Sequence, residues 1–132
     1  MSKTENTSIP TSIAPWFSVT NGSKAAEFYK SAFSAVEKYR LETPDGLIVK
    51  YSVDGAEFWI SGGPTDNSSS TPLGGNSIRM VLIVADPYPI FNKALKAGAA
   101  EVFPIGEDHG WKLGRLVDPF GLHWEIGHPL AT

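Results

Sequence analysis

The hydrophobic rhythm of the chain switches repeatedly between period two and helical spacing. In residues 13–19, Ile13, Pro15, Phe17 and Val19 alternate with Ala14, Trp16 and Ser18. That predicts a strand with Pro15 near its start or on an edge. Asn21-Gly22-Ser23 then turns the chain into a helix capped by Asn21 or Ser23. Ala25, Ala26, Phe28, Tyr29, Ala32 and Phe33 form an apolar stripe along it, which reads as packing against a sheet rather than as a ligand surface. Residues 36–41, 47–53 and 56–60 are strand candidates, separated by Thr43-Pro44-Asp45-Gly46 and by Asp54-Gly55, both strong turn signals.

Residues 61–77 carry no period. They are rich in Gly, Ser and Pro, the composition of a flexible connector. After it the same order returns. Residues 78–84 alternate as a strand, with Met80, Leu82 and Val84 on one face and Arg79, Val81 and Ile83 on the other. Asp86 can cap a second helix with Pro87 at its first position, Ile90, Phe91, Ala94 and Leu95 make its buried stripe, and Gly98 ends it. Residues 100–103, 111–117 and 123–126 are expected strands, and 104–109 an expected loop. Both halves therefore read β-α-β-β-β. The organisation expected is a polar tail (1–11), a first module (12–62), a connector (63–77), a second module (78–128) and a short C-terminal tail (129–132). Each module buries one sheet face under a helix, which leaves the opposite, concave faces to line a cavity.

Composition narrows the function classes. A chain of 132 residues with 42% hydrophobic and 19% charged residues is an ordinary globular domain. A net charge of −3 argues against a nucleic-acid partner, because phosphate binding needs a basic surface. No apolar run approaches the ~20 residues of a bilayer span, so no membrane partner is expected. With no cysteine, disulfides, thiolate ligands and a thiol nucleophile are all excluded. The polar N-terminus lacks the apolar core of a secretion signal, and a cytoplasmic protein is expected.

Tandem β-α-β-β-β modules, Glu27-Phe28-Tyr29 on the first helix, Lys96-Ala97-Gly98-Ala99 closing the second, and Asp118-Pro119-Phe120-Gly121 followed by Trp124-Glu125 together resemble the vicinal oxygen chelate superfamily. This is the glyoxalase, bleomycin-resistance and extradiol-dioxygenase group, and the final hairpin looks like that of its PhnB-like glyoxalase subgroup. The resemblance spans about residues 13–128. It implies an α+β fold in which the two modules form a curved eight-stranded mixed sheet, or half-barrel, around a cavity, usually in a homodimer. Its enzymes hold a divalent metal (Zn, Ni, Mn or Fe) with ligands from the first and last strand of each module. Here those slots fall on Ala14, on Trp59 or Ile60, on Arg79 and on Glu125. Only Glu125 is a ligand type.

No cofactor is therefore expected; a metal held by His123 and Glu125, with help from His109 or His128, is the weaker alternative. The expected ligand is a small amphipathic molecule. The candidate binding residues are Trp16, Ser18, Trp59, Arg79, Val81, Trp111, His123 and Glu125, with Arg79 paired to Glu125 and presenting its guanidinium to an anionic or polar group. Trp124, on the opposite face from Glu125, reads as core. The alternative function is a lyase, isomerase or dioxygenase with Glu125 as metal ligand or general base.

Overall fold

The computed structural model describes residues 9–63 and 78–131. The connector expected at 63–77, apart from Gly63, and most of the N-terminal tail lie outside the described residues. The first module comprises β1 (Trp16–Val19), α1 (Gly22–Phe33), β2 (Val36–Thr43), β3 (Gly46–Val53) and β4 (Ala56–Gly62). The second comprises β5 (Arg79–Ile83), α2 (Pro87–Ala97), β6 (Ala100–Asp108), β7 (Trp111–Val117) and β8 (His123–Pro129). Each makes a four-stranded mixed sheet, ordered β1-β4-β3-β2 and β5-β8-β7-β6, with one parallel pair between its first and last strands. The architecture is α+β, in two sheets with no closed barrel among the described residues.

Local chemistry sets the element ends. The Asn21 side chain accepts from the Lys24 amide at 3.0 Å, and Ser34 in the left-handed region stops α1. Asp86 accepts from the Tyr88 amide at 3.2 Å with Pro87 in the first turn of α2, and Gly98 at φ +124° closes it. Asp54-Gly55 and His109-Gly110 both have positive φ at the two central residues. That is the backbone twist a two-residue hairpin between right-handed strands needs.

Three expected boundaries shift by three residues or more. The first strand begins at Trp16, and Ile13, expected in the strand on the same face as Phe17, is 96% exposed while Phe17 is buried. The ladder to β4 closes with the Trp59 amide on the Pro15 carbonyl at 2.8 Å, and Pro15 has no N–H of its own to extend it. Residues 104–108, expected as loop, continue β6. As an edge strand it tolerates the donor Pro104 lacks, and register shifts between Glu101 and Phe103 and between Phe103 and Gly106 absorb the irregularity. Finally, β8 runs on to Pro129, because β7 supplies ladder partners as far as Trp111.

The helix-bearing faces of the two modules meet in one core. Phe17, Phe28, Tyr29, Phe33 and Phe58 of the first module pack on Phe120 and Trp124 of the second, with ring centroids between 4.7 and 6.1 Å across the module boundary. The helices themselves are in contact. Tyr51 is buried against α1, its hydroxyl donating to the Ala26 carbonyl at 2.8 Å. The faces away from the helices stay open. Trp16, Tyr39 and Leu41 on the first sheet and Val81, Ile83 and Phe103 on the second are exposed.

Candidate functional site

Strand alternation and pairing build the open face of the second sheet. Across β5, β8 and β7 the registers align Arg79 with His123 and Val117, then Val81 with Glu125 and Arg115, then Ile83 with Gly127 and Leu113. Residues two apart on a strand share a face, so these rows project together, while Trp124 and Ile126 point back to the core. The face borders a cavity of about 480 Å³ lined by the apolar side chains of Val81, Phe103, Trp111 and Leu113 and by Glu107, Asp108, His109 and Glu125.

Four polar side chains gather on the same strand face beside it, and of these Glu125 also lines the cavity. Arg79 Nε lies 3.0 Å from Glu125 Oε2; the Glu125 side chain is 16% exposed and that of Arg79 is 51% exposed. A carboxylate withdrawn from water in this way needs a counter-charge, and Arg79 supplies it. Arg115 Nε donates to His123 Nδ1 at 3.2 Å. A ring nitrogen that accepts carries no proton, so in this contact His123 is the neutral tautomer with its N–H on Nε2. At the other end of the face, His109 sits in the β6–β7 turn beside Asp108, with 3.4 Å between His109 Nε2 and Asp108 Oδ2.

The first sheet carries a different cluster. Trp16 and Trp59, opposite each other in the parallel ladder, stack with centroids 5.3 Å apart and planes inclined by 13°. Trp16 Nε1 donates to Ser61 Oγ at 2.9 Å, and Ser18 Oγ lies 3.5 Å from the same oxygen. Tyr39 leans on Trp59, and Lys50 Nζ stands 5.5 Å from its ring centre while bridging to Glu57.

The structure thus places the candidate residues in two groups. Arg79, Val81, Trp111, His123 and Glu125 share the second sheet, and Trp16, Ser18 and Trp59 share the first. Two residues went unmarked in the sequence. Arg115 belongs to the polar cluster beside the cavity, and the alternation of Leu113, Arg115 and Val117 was the available signal. Asp118, read as a turn residue, is buried with four bonds. Its Oδ2 accepts from the Tyr29 hydroxyl at 2.6 Å and from Trp124 Nε1 at 3.0 Å, and its Oδ1 from the amides of Phe120 and Leu122. It anchors the turn that aims His123 and Glu125. Burial, then the adjacent Asp118 carboxylate, pushes the Tyr29 hydroxyl well above the usual tyrosine range.

Known proteins share this fold. No protein-family model matches the chain. A glyoxylase/bleomycin resistance protein/dioxygenase domain from Frankia superposes with a TM-score of 0.72, covering 92% of this chain and 93% of that one at 13% identity. The fosfomycin resistance protein FosX from Listeria monocytogenes superposes with a TM-score of 0.70, covering 92% and 94% at 14% identity. The fold is that of the vicinal oxygen chelate superfamily. In sequence, the chain is 33% identical over 129 residues to uncharacterized protein Mb0911c of Mycobacterium bovis, covering 89% of this chain and 83% of the relative. The chain belongs to the family of that mycobacterial protein.

The donor set does not fit the metal that the resemblance implies. Of the slot residues, Ala14, Trp59, Ile60 and Arg79 offer no ligand atom, and Glu125 is already engaged by a guanidinium. The weaker set fails on geometry. His123 Nδ1 is taken by Arg115, His109 lies in the exposed turn, and His128 follows the parity of Trp124 and Ile126 rather than that of Glu125. Among the described residues no three His, Asp or Glu side chains gather as a metal site.

Proposed function

We propose that the protein binds a small amphipathic molecule on the concave face of its second module, without the metal-dependent chemistry of the superfamily's enzymes. The observation that carries this reading is the Arg79–Glu125 ion pair, which fills two slots of the implied metal set beside an apolar and aromatic cavity. The Asp118-Pro119-Phe120-Gly121 turn followed by Trp124-Glu125 supports a PhnB-like lineage.

The reading includes a homodimer. Both concave faces turn away from the shared core and leave tryptophan, tyrosine, valine and isoleucine side chains in water. A second copy that set its first sheet over this second sheet would cover them and bring the Trp16–Trp59 stack across from the Arg79–Glu125 pair.

Two measurements test the function. A thermal-shift screen of small amphipathic compounds should raise the melting midpoint of the full chain, and the shift should shrink in the Trp111→Ala variant. Metal analysis of the purified protein should find no stoichiometric divalent ion. A bound metal lost in Glu125→Gln would replace this reading with an enzymatic one. Light scattering should return twice the chain mass.

A further inference from the structure

The polar cluster beside the cavity is not charge-balanced within itself. Arg79 is matched by Glu125. Arg115 faces Glu125 directly across the β7–β8 ladder, yet its Nε–H goes to the neutral His123. Among the described residues no carboxylate lies within ion-pair distance of Arg115. The four side chains therefore sum to one positive charge, two guanidiniums less one carboxylate.

The two arginines flank β8 from β5 and β7. Each uses Nε in its recorded bond, which leaves the terminal NH₂ groups for a ligand. The His123 Nε2–H adds a neutral donor. From this cluster the face becomes apolar through Val81 and Leu113 to Trp111, and Glu107 and Asp108 stand at the far end of the cavity. Such a face is polarised, cationic at the arginines, apolar in between and acidic at the far end. An alcohol would leave the charge of Arg115 unmatched. At the arginines an amine would add to the excess, and a dianion would overshoot it.

We propose that the ligand is a monoanionic amphiphile carrying a carboxylate, with the carboxylate on Arg79 and Arg115 and the apolar body along Val81, Leu113 and Trp111. This rests on the binding reading above and names the class of molecule that the site takes. Guanidinium and carboxylate match in planar, two-point geometry, which an ammonium does not offer.

Calorimetric titration of the full chain with three matched probes, 4-phenylbutyrate, 4-phenylbutanol and 4-phenylbutylamine, tests it. The carboxylate should bind about tenfold or more tightly than the alcohol, and the advantage should fall as salt is raised. Arg79→Gln and Arg115→Gln should each abolish that preference. Trp111→Ala should weaken the carboxylate and the alcohol alike. Glu125→Gln, which removes the competing anion, should tighten the carboxylate. Alcohol or amine binding as tightly as the carboxylate, or a preference untouched by both arginine variants, would overturn the carboxylate assignment and leave the binding cavity standing. Failure of all three probes to bind would overturn both.

Discussion

Tyr29 on α1 and Asp118 after β7 lie 89 positions apart in sequence and are joined by a buried 2.6 Å hydrogen bond. It is a polar tie between the two modules, set among the rings of Phe28, Phe33, Phe120 and Trp124. Removing its two ends should have unequal effects. Tyr29→Phe deletes one donor and leaves Asp118 Oδ2 its bond from Trp124, so the loss should be about 1–3 kcal/mol. Asp118→Ala strands the Trp124 indole N–H and the amides of Phe120 and Leu122, and should cost about 3 kcal/mol or more. Urea unfolding of both variants gives the comparison; equal losses would mean that Asp118 does no more than receive Tyr29.

Two tyrosines make stability depend on alkaline pH. Burial, followed by Glu37, pushes Tyr51 up to about 12, and Tyr29 is raised as well. In the unfolded chain both ionise near their ordinary value of about 10. The folded state thus holds protons that the unfolded state has released. Stability should be flat below about pH 9 and decline above 10, by about 1.4 kcal/mol per pH unit for each tyrosine still neutral in the fold. For Tyr51 this decline ends near its folded value. Tyr51→Phe should flatten the slope between pH 10 and 12, measured by denaturant midpoints at each pH.

The Trp16–Trp59 stack predicts a spectroscopic marker. Two nearly parallel indoles at 5.3 Å couple their transitions and should give an exciton couplet in the far-ultraviolet circular dichroism. Either Trp16→Phe or Trp59→Phe should erase it, while Trp111→Phe should leave it intact. Since Trp16 is 50% exposed, its replacement should lower stability by no more than about 1.5 kcal/mol.

Gly127 tests how closely β7 and β8 approach. A Cβ there would stand 1.9 Å from the Lys112 carbonyl oxygen and 2.6 Å from Leu113 Cα, both backbone atoms that cannot rotate away. Gly127→Ala should lower stability by about 2 kcal/mol or more, read from the thermal midpoint. Gly106→Ala, on the edge strand with nothing within contact distance, is the control and should cost little.

The sequence by itself determined the elements and their repeat. Asn21, Asp86 and Gly98 carry capping chemistry within a few residues of where it acts, and Asp54-Gly55 carries its hairpin, because those interactions are local. Alternation likewise separated Trp124 from Glu125 and placed Arg79 with Val81, since a strand's faces follow from parity alone. The extension of β6 through Pro104 was hidden, because an edge strand's tolerance of proline depends on which neighbour it lacks.

Only the tertiary structure decided what lies next to what across the modules. It turned Asp118 from a turn residue into the acceptor shared by Tyr29 and Trp124. It divided the candidate residues between two sheets, and it gave Arg115 to His123 rather than to Glu125. Contacts of this kind join positions far apart in the chain through register and helix packing, which no local pattern encodes. The uncompensated charge of Arg115 beside the cavity, and with it the class of ligand proposed, became visible only once those strands were side by side.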